Sequence, residues 1–162
     1  MEGSRPATAD DVPQIVELAR QLRHELTAMK GGALWSNREA LAEPLADAYA
    51  QLLGRDDAFV VVGTVDETVV GFGVVTLERL RTGEMLGLVS DLFVEPEARA
   101  VGVGESMADE LVAFCAARGC IGIDALALPG HRAAKNFFEE SGFTARAIVM
   151  HRPLDRRDGE AG

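Results

Sequence analysis

The sequence has few of the residues that usually hold metals or covalent cross-links. Its 162 residues include only two cysteines, Cys115 and Cys120, and three histidines. The cysteines are not spaced as a C-x-x-C pair, and no Cys or His lies close to them in sequence. This pattern argues against a zinc site and against a disulfide framework. We therefore predict two buried thiols and no bound metal.

The chain also lacks long apolar runs and an excess of positive charge. No run approaches the roughly 20 apolar residues that a membrane-spanning helix needs, and the first residues contain no apolar signal stretch. We therefore predict a cytoplasmic protein with no membrane partner. The net charge of −10 disfavours binding to nucleic acid, which depends on clustered Lys and Arg. The same charge favours solubility and permits a cationic substrate, because an acidic cleft concentrates amines.

The residues that are present predict one α/β domain. Hydrophobic residues make up 48% and charged residues 26% of the chain, which is typical of a globular protein. Thr8 with Asp11, and Ser36 with Glu39, resemble helix starts, and a bend is expected near Pro44. The apolar spacing predicts helices over residues 9–29, 36–53, 103–118 and 131–141, and strands over 58–65, 68–77, 86–94, 120–128 and 143–152, with a short strand before Pro6.

This order of elements predicts a mixed β-sheet covered by helices. The last residues, from Pro153 to Gly162, are charged and end in Gly-Glu-Ala-Gly. We expect them to form a flexible tail. The prediction is thus a single domain over residues 1–152 followed by a tail over residues 153–162.

A glycine-containing turn follows the third long strand and opens a helix. It reads Arg99-Ala100-Val101-Gly102-Val103-Gly104, and Glu105 comes next. Two glycines allow the backbone to approach a ligand closely. The first amides of a helix have no partner within the helix and lie at the positive end of its dipole, so they bind anions. Arg99 adds a positive charge that can reach a phosphate.

Three kinds of nucleotide site compete for this turn. A dinucleotide-binding turn needs a third glycine, but Met107 stands at that position. A phosphate-binding P-loop needs Gly-Lys-Ser or Gly-Lys-Thr, which the chain lacks. The third kind is a site for coenzyme A. A plain helix start that contains glycine remains the alternative until the neighbouring motifs are considered.

Those neighbouring motifs resemble the GNAT superfamily of acyl-coenzyme A-dependent N-acyltransferases. The signature of that family is a strand ending in Val-x-Pro, then R-x-x-G-x-G or R-x-x-G-x-A, then a helix. A second signature has Ala, an aromatic pair, an acidic residue and Gly-Phe. The matching segments are Leu92-Phe93-Val94-Glu95-Pro96 with the turn at residues 99–104, Ala134 with Phe137-Phe138-Glu139 and Gly142-Phe143, and the weaker Val70-Gly71-Phe72. The resemblance covers roughly residues 4–152.

The resemblance implies how acetyl-coenzyme A binds. Strands 86–94 and 120–128 are expected to be parallel neighbours that splay apart at one end, giving a mixed, splayed sheet with helices on both faces. The pantetheine arm then pairs with the backbone of Leu92, Phe93 and Val94 like an added strand. The diphosphate rests on the amides of residues 101–105 and near Arg99. A backbone N–H near Phe93 or Val94 binds the acyl oxygen.

Asp91 is the candidate general base for transfer of an acetyl group to a primary amine. An amine is mostly protonated at neutral pH and needs to lose a proton before it attacks. Asp91 alternates with Val89 and Phe93 along the strand, so we expect all three on one face, where apolar neighbours raise the proton affinity of the carboxylate. The resemblance also implies an acidic residue in this region, acting directly or through water. The other interpretation, a hydrogen-bonded structural carboxylate, stays open.

The chain departs from the family at the position that often protonates the leaving thiolate. Many members carry a tyrosine beside the coenzyme, where this chain has Phe138, which has no hydroxyl group. The only tyrosine, Tyr49, lies in the region that walls the acceptor pocket in the family, and we expect it to be a core residue. Phe138 therefore motivates an alternative function, an acyl-coenzyme A-binding sensor or partner-binding module without turnover.

The sequence does not identify the amine. Protein N-termini, lysines, small amines, aminoglycosides and amino acids all remain open, because the acceptor pocket varies within the fold. The resemblance also leaves a homodimer open, since members of the family often pair.

Overall fold

A computed structural model describes residues 1–155 and confirms an α/β fold built on a mixed sheet of five strands. The strands lie side by side in chain order. They are β1 (Glu2–Pro6), β2 (Ala58–Val65), β3 (Thr68–Arg79), β4 (Met85–Val94) and β5 (Cys120–Ala125). β1 to β4 pair in antiparallel fashion, and β5 is parallel to β4.

Within residues 1–155, five α-helices connect and cover these strands. They are α1 (Val12–Thr27), α2 (Gly32–Arg38), α3 (Leu45–Leu53), α4 (Val103–Ala117) and α5 (Arg132–Glu140). A short 3-10 turn over Ala9–Asp11 precedes α1, and the predicted reciprocal cap between Thr8 and Asp11 is present there. None of the helices among residues 1–155 combines the length and apolar character needed to cross a bilayer.

Alternating side chains of the sheet divide the core into two layers. Val60 and Val62 of β2 belong to the layer that packs under α1, α2 and α3. Val61, which lies between them, belongs to the layer under α4. This period of two follows from strand geometry, in which successive side chains point to opposite faces. Helices therefore cover both faces of the sheet, as predicted.

The first turn of α4 lies very close to the sheet because two strand residues have no side chain. A Cβ atom added at Gly63 would lie 2.3 Å from Cγ1 of Val103, and one added at Gly71 would lie 3.0 Å from Cε of Met107. Val103 and Met107 are fully buried in this contact. Gly63 and Gly71 therefore set the position of the start of α4, which follows the glycine turn.

The predicted helix over residues 36–53 is wrong, because the structure has two separate helices in this region. α2 begins at Gly32, after Gly31 has taken a left-handed conformation with φ of 79°. Ser36 lies inside α2, and its hydroxyl group shares a 2.6 Å hydrogen bond with Thr27 instead of capping a helix. Pro44 stands at the N-cap of α3, so it starts a helix instead of bending one.

The predicted final strand over residues 143–152 is also wrong. Residues 143–155 contain no strand or helix. Phe143 packs against Phe138 at a ring distance of 5.3 Å, and Arg146 pairs with Asp124 of β5. These two side-chain anchors hold the segment in place of a backbone ladder. Apolar residues of high β-propensity fit a half-buried strand, but they form one only where a neighbouring strand is available for pairing.

The other helix and strand predictions agree with the structure to within a few residues at their ends. Most of the predicted flexible tail, residues 156–162, lies outside the described residues. The prediction of a single domain over residues 1–152 is not tested by these observations and stays a prediction.

We predict that Gly63→Ala destabilises the protein by about 1–3 kcal/mol, since the new methyl group overpacks a filled contact with α4. Chemical unfolding followed by circular dichroism measures this change. Gly3→Ala is the matched control, because a Cβ atom at Gly3 would meet nothing within 4 Å. We expect the control to stay within about 0.5 kcal/mol of the unmodified protein. Equal effects of the two substitutions would show that α4 adapts to the methyl group.

Candidate functional site

The parallel pairing of β4 with β5 ends before β4 does. The last pair is Val89 with Ala125, whereas β4 continues to Val94 and remains paired with β3 up to the pair of Val94 with Gly71. The last part of β4 therefore has a strand on one side only, within the described residues. This arrangement confirms the predicted splay and leaves Leu92, Phe93 and Val94 beside a gap that an extended ligand could fill.

A β-bulge at Ser90 changes the side-chain pattern in the middle of β4. Val75 pairs with Val89, but the next residue of β3 toward the gap, Val74, pairs with Asp91, so Ser90 is extra. A bulge of this kind reverses the alternation of faces. Val89 packs in the layer under α4, whereas Phe93 packs in the layer under α1 and α3.

The expectation that Val89, Asp91 and Phe93 share one face is therefore wrong. Asp91 lies on the face of α1 and α3, where the hydroxyl group of Tyr49 on α3 donates a 2.5 Å hydrogen bond to its Oδ2. Asp91 is half-buried. Without the inserted residue, a strand of regular alternation would place this carboxylate toward α4.

Burial is the main influence on the proton affinity of Asp91. Desolvation raises the pKa of its carboxyl group above the usual range, and Tyr49, Ser90 and Arg23 partly oppose that rise by stabilising the charged form. Tyr49 is 3% exposed. Desolvation and the nearby Asp91 raise the pKa of its hydroxyl group, which therefore stays protonated and donating at neutral pH.

A small compartment lies beside Asp91, between α1, α2 and α3. Its polar lining consists of Asp91, Tyr49 and Arg23, and the remaining lining is apolar and includes Trp35 and Leu45. Its volume is about 10 Å³, which is close to the space that one water molecule requires. Three polar groups are enough to hold such a water.

The glycine turn has the backbone geometry of an anion site. Gly102 is left-handed with φ of 91°, and Ala100 has φ of 70°, which is unusual for a residue with a side chain. The first bond of α4 runs from the amide of Ser106 to the carbonyl of Gly102 at 3.0 Å. Among residues 1–155, the amides of residues 101–105 donate to no backbone carbonyl, so they are available to a ligand at the positive end of α4.

The side chains around the turn leave these amides accessible from one direction. Val101 is exposed, Val103 is buried against the sheet, and the side chain of Glu105 is exposed. A Cβ atom at Gly104 would lie 3.4 Å from the ring of Phe137 on α5. Gly104 therefore permits close packing of α5 on α4, in addition to its place in the turn.

Arg99 is anchored to its surroundings through two of its three guanidinium nitrogens. Nε donates to the carbonyl of Val94 at 2.8 Å, and Nη2 lies 3.0 Å from Oε2 of Glu25 on α1. The guanidinium group also lies over the ring of Phe93, 5.3 Å from its centre. The other oxygen of Glu25 lies 3.9 Å from Nε2 of His131, so Glu25 stands between Arg99 and His131.

Phe138 lies in a cluster of three aromatic rings. Its ring is 5.6 Å from that of Phe137 and 5.3 Å from that of Phe143, and both contacts are edge-to-face. Phe138 thus helps to attach α5 to the segment that follows it. No hydroxyl group takes the place of the absent tyrosine within this cluster.

The sequence did not identify three residues of this region, namely Tyr49, Arg23 and Glu25. Tyr49 is separated from Asp91 by 42 positions, and it was expected to be core; it is buried, but it also has a polar partner. The one available signal was that a buried tyrosine usually needs a partner for its hydroxyl group. Among residues 1–155, no cluster of three His, Cys, Asp or Glu side chains is suited to hold a metal.

One of the comparisons with known proteins identifies a family. The profile of the "Acetyltransferase (GNAT) family" matches residues 20–143. No curated protein sequence matches the chain.

Solved structures share the fold at low sequence identity. A tetramutant of the BH1408 protein from Bacillus halodurans has a TM-score of 0.79 and 21% identity, and the match covers 93% of this chain and 99% of that chain. Glucosamine-6-phosphate N-acetyltransferase from Arabidopsis thaliana has a TM-score of 0.70 and 20% identity, and the match covers 96% of this chain and 99% of that chain. An aminoglycoside acetyltransferase from an uncultured soil metagenomic sample, in complex with sisomicin, has a TM-score of 0.71 and 16% identity, and the match covers 96% of this chain and 97% of that chain.

We predict that Asp91→Asn makes the protein more stable at pH 7. The pKa of Asp91 is higher in the folded than in the unfolded protein, so the ionised carboxylate lowers stability once the pH exceeds both values. Asn carries no charge to bury, and its advantage should vanish as the pH falls to the usual range of an aspartate. Chemical unfolding at several pH values measures the difference.

The control for this prediction is Asp124→Asn, for which we expect the opposite sign. Arg146 lowers the pKa of Asp124, so the ionised form stabilises the fold at neutral pH and this contribution is lost as the pH falls. The expected loss at pH 7 is at most about 1 kcal/mol for this partly exposed pair. A lower stability of Asp91→Asn at pH 7 would mean that the bond from Tyr49 outweighs the cost of burial.

Proposed function

Since the chain belongs to the GNAT family of acetyltransferases, we propose that it transfers an acetyl group from acetyl-coenzyme A to a primary amine, by direct attack within a ternary complex. The observation that carries this proposal is the position of Asp91. A carboxylate of raised pKa lies at the bulge of β4, directly before the part of that strand which has no partner in β5. That is where a general base for an amine is needed.

Acetyl-coenzyme A would supply the activated thioester, and the chain's own groups fit its anionic and extended parts. We propose that the free amides of residues 101–105 bind the diphosphate. Arg99 would assist through Nη1, the guanidinium nitrogen that makes no hydrogen bond among the described contacts. The backbone of Leu92, Phe93 and Val94 would pair with the pantetheine arm across the gap.

We propose that Asp91 receives the proton of the amine through one water. The compartment beside it suits a single water molecule and not a whole acceptor. A carboxyl group whose pKa is raised by burial takes a proton more readily near neutral pH than an ordinary aspartate does.

The leaving thiolate does not depend on Phe138 for a proton. A thiol has a pKa of about 8.5, so its conjugate base is a good leaving group without a protonating side chain. Phe138 would instead line the coenzyme site with its ring, while Ala100 and Glu105 contribute backbone to the turn. No catalytic hydroxyl group is needed on α5 in this scheme.

The alternative function is binding of acyl-coenzyme A without turnover, as a sensor or a partner-binding module. Two observations favour it, the aromatic packing of Phe138 and the hydrogen bond that already occupies Asp91. Both could belong to a site that has lost its catalytic groups. The rate of amine-dependent thiol release separates the two functions.

The solved neighbours with named acceptors act on amines of sugars, glucosamine-6-phosphate in one case and aminoglycosides in the other. Such acceptors agree with a primary amine but do not fix the substrate of this chain, because the shared identity is low and pockets vary within a fold.

We predict that a panel of primary amines contains at least one that accelerates thiol release from acetyl-coenzyme A above the hydrolytic background. Asp91→Asn should lower kcat/KM with that amine by about 100-fold or more at pH 7, since a positioned base contributes at least that much. Release of thiol is followed with a chromogenic disulfide. An unchanged rate in Asp91→Asn would rule out Asp91 as the base. Tight binding of acetyl-coenzyme A without release by any amine would favour the sensor.

We predict that Gly102→Ala weakens binding of acetyl-coenzyme A by about tenfold or more. A side chain strains the left-handed conformation of this residue, on which the orientation of the amides of residues 101–105 depends. Calorimetric titration measures this, with NAD as a negative control ligand. Gly119→Ala is the matched protein control. Gly119 is also left-handed, with φ of 74°, and a Cβ atom there would meet nothing within 4 Å, but it lies at the opposite end of α4. Equal affinity of the two variants would contradict a diphosphate site at the turn.

A further inference from the structure

Within residues 1–155, the hydroxyl group of Tyr49 has one hydrogen-bond partner, the proposed base Asp91. Tyr49 lies on α3 with its ring packed edge-to-face on Phe72, 5.7 Å between ring centres. Burying a hydroxyl group without a partner costs free energy, and here the 2.5 Å bond to Oδ2 of Asp91 satisfies it. The ring is thus fixed by the core, and its oxygen is fixed on Asp91.

From this geometry we propose that Tyr49 is a positioning residue for Asp91 in the acyl transfer. The inference rests on the proposed function of Asp91. The rigid ring holds Oδ2 through one hydrogen bond, which restricts the rotation of the carboxylate. Oδ1 is then the oxygen that takes the proton delivered through the water.

The bulge makes this arrangement possible. Ser90 is the extra residue that turns Asp91 toward α3, and Tyr49 lies on the element that packs there. A bulged strand is bent and locally lacks part of its ladder, so a side chain on it gains orientation from a rigid neighbour. The hydrogen bond from the buried Tyr49 orients the carboxylate of Asp91 in this way.

Tyr49 also influences the pKa of Asp91, together with the other groups that face it. Arg23 on α1 lines the same compartment and lies 3.7 Å from Glu43. Ser90 lies on β4, and the lining from α2 and the following loop, Trp35 and Leu41, is apolar. A hydrogen bond donated to a carboxylate favours its ionised form. Removal of the hydroxyl group should therefore raise the pKa of Asp91 further.

The test is Tyr49→Phe, which keeps the packed ring and removes only the hydroxyl group. We expect the acid limb of the profile of kcat/KM against pH to move to higher pH, with a loss of about tenfold at the acid end and a smaller loss at alkaline pH. The affinity for acetyl-coenzyme A should stay within about twofold, since Tyr49 lies away from the glycine turn. In an Asp91→Asn background the same substitution should leave the profile unchanged.

A second measurement keeps the inference independent of turnover. Titration of the Asp91 carboxyl carbon by ¹³C nuclear magnetic resonance should show a higher pKa in Tyr49→Phe than in the unmodified protein. An unchanged titration and an unchanged acid limb would overturn the positioning role. A shifted titration in a protein that releases no thiol with any amine would uphold the contact with Asp91 and reject the acetyltransferase function.

Discussion

The separation of β4 from β5 is the constraint on which the rest of the site depends. A parallel pair of strands is usually covered on both faces, and here the pairing stops at Val89 while β4 continues. Beyond this point, the backbone N–H and C=O groups of β4 that face β5 need hydrogen-bond partners other than a strand. The same end of β4 leads into the glycine turn, and the start of α4 is held against the sheet at Gly63 and Gly71. One interruption in the ladder thus brings an open strand, a helix terminus and a buried carboxylate together.

The bulge at Ser90 assigns each part of β4 to one layer of the core. Before the bulge, Val89 packs in the layer under α4. After the bulge, Phe93 packs in the layer under α1 and α3. Asp91 falls at the change between them, and the desolvation of its half-buried carboxylate has a cost that the hydrogen bond with Tyr49 only partly offsets. Such a cost is common where a group is kept for chemistry and not for stability. The rest of the sheet is apolar enough to tolerate it.

The sequence predicted most elements because apolar spacing and turn residues agree in β2, β3 and β4 and in α1 and α4. The sequence predicted the wrong face of the sheet for Asp91, because regular alternation of side chains was assumed through Ser90. The bulge inserts one residue there, and no residue type in the sequence identifies it. Tyr49 was missed as a partner because its contact spans 42 positions, and no local rule links a helix residue to a carboxylate so far along the chain. The segment after Phe143 has the composition of a strand, but pairing requires a neighbour that composition does not specify.

The segment after α5 has a consequence for the behaviour of the protein in solution. Ile148, Val149 and Met150 are each more than 80% exposed, and β5 ends the sheet within the described residues. Exposed apolar, β-prone residues and a free strand edge each promote association between molecules. The net charge of −10 opposes such encounters through mutual repulsion. Salt shortens the range of that repulsion to about 10 Å at 0.1 M, so the colloidal stability of this protein falls as the ionic strength rises.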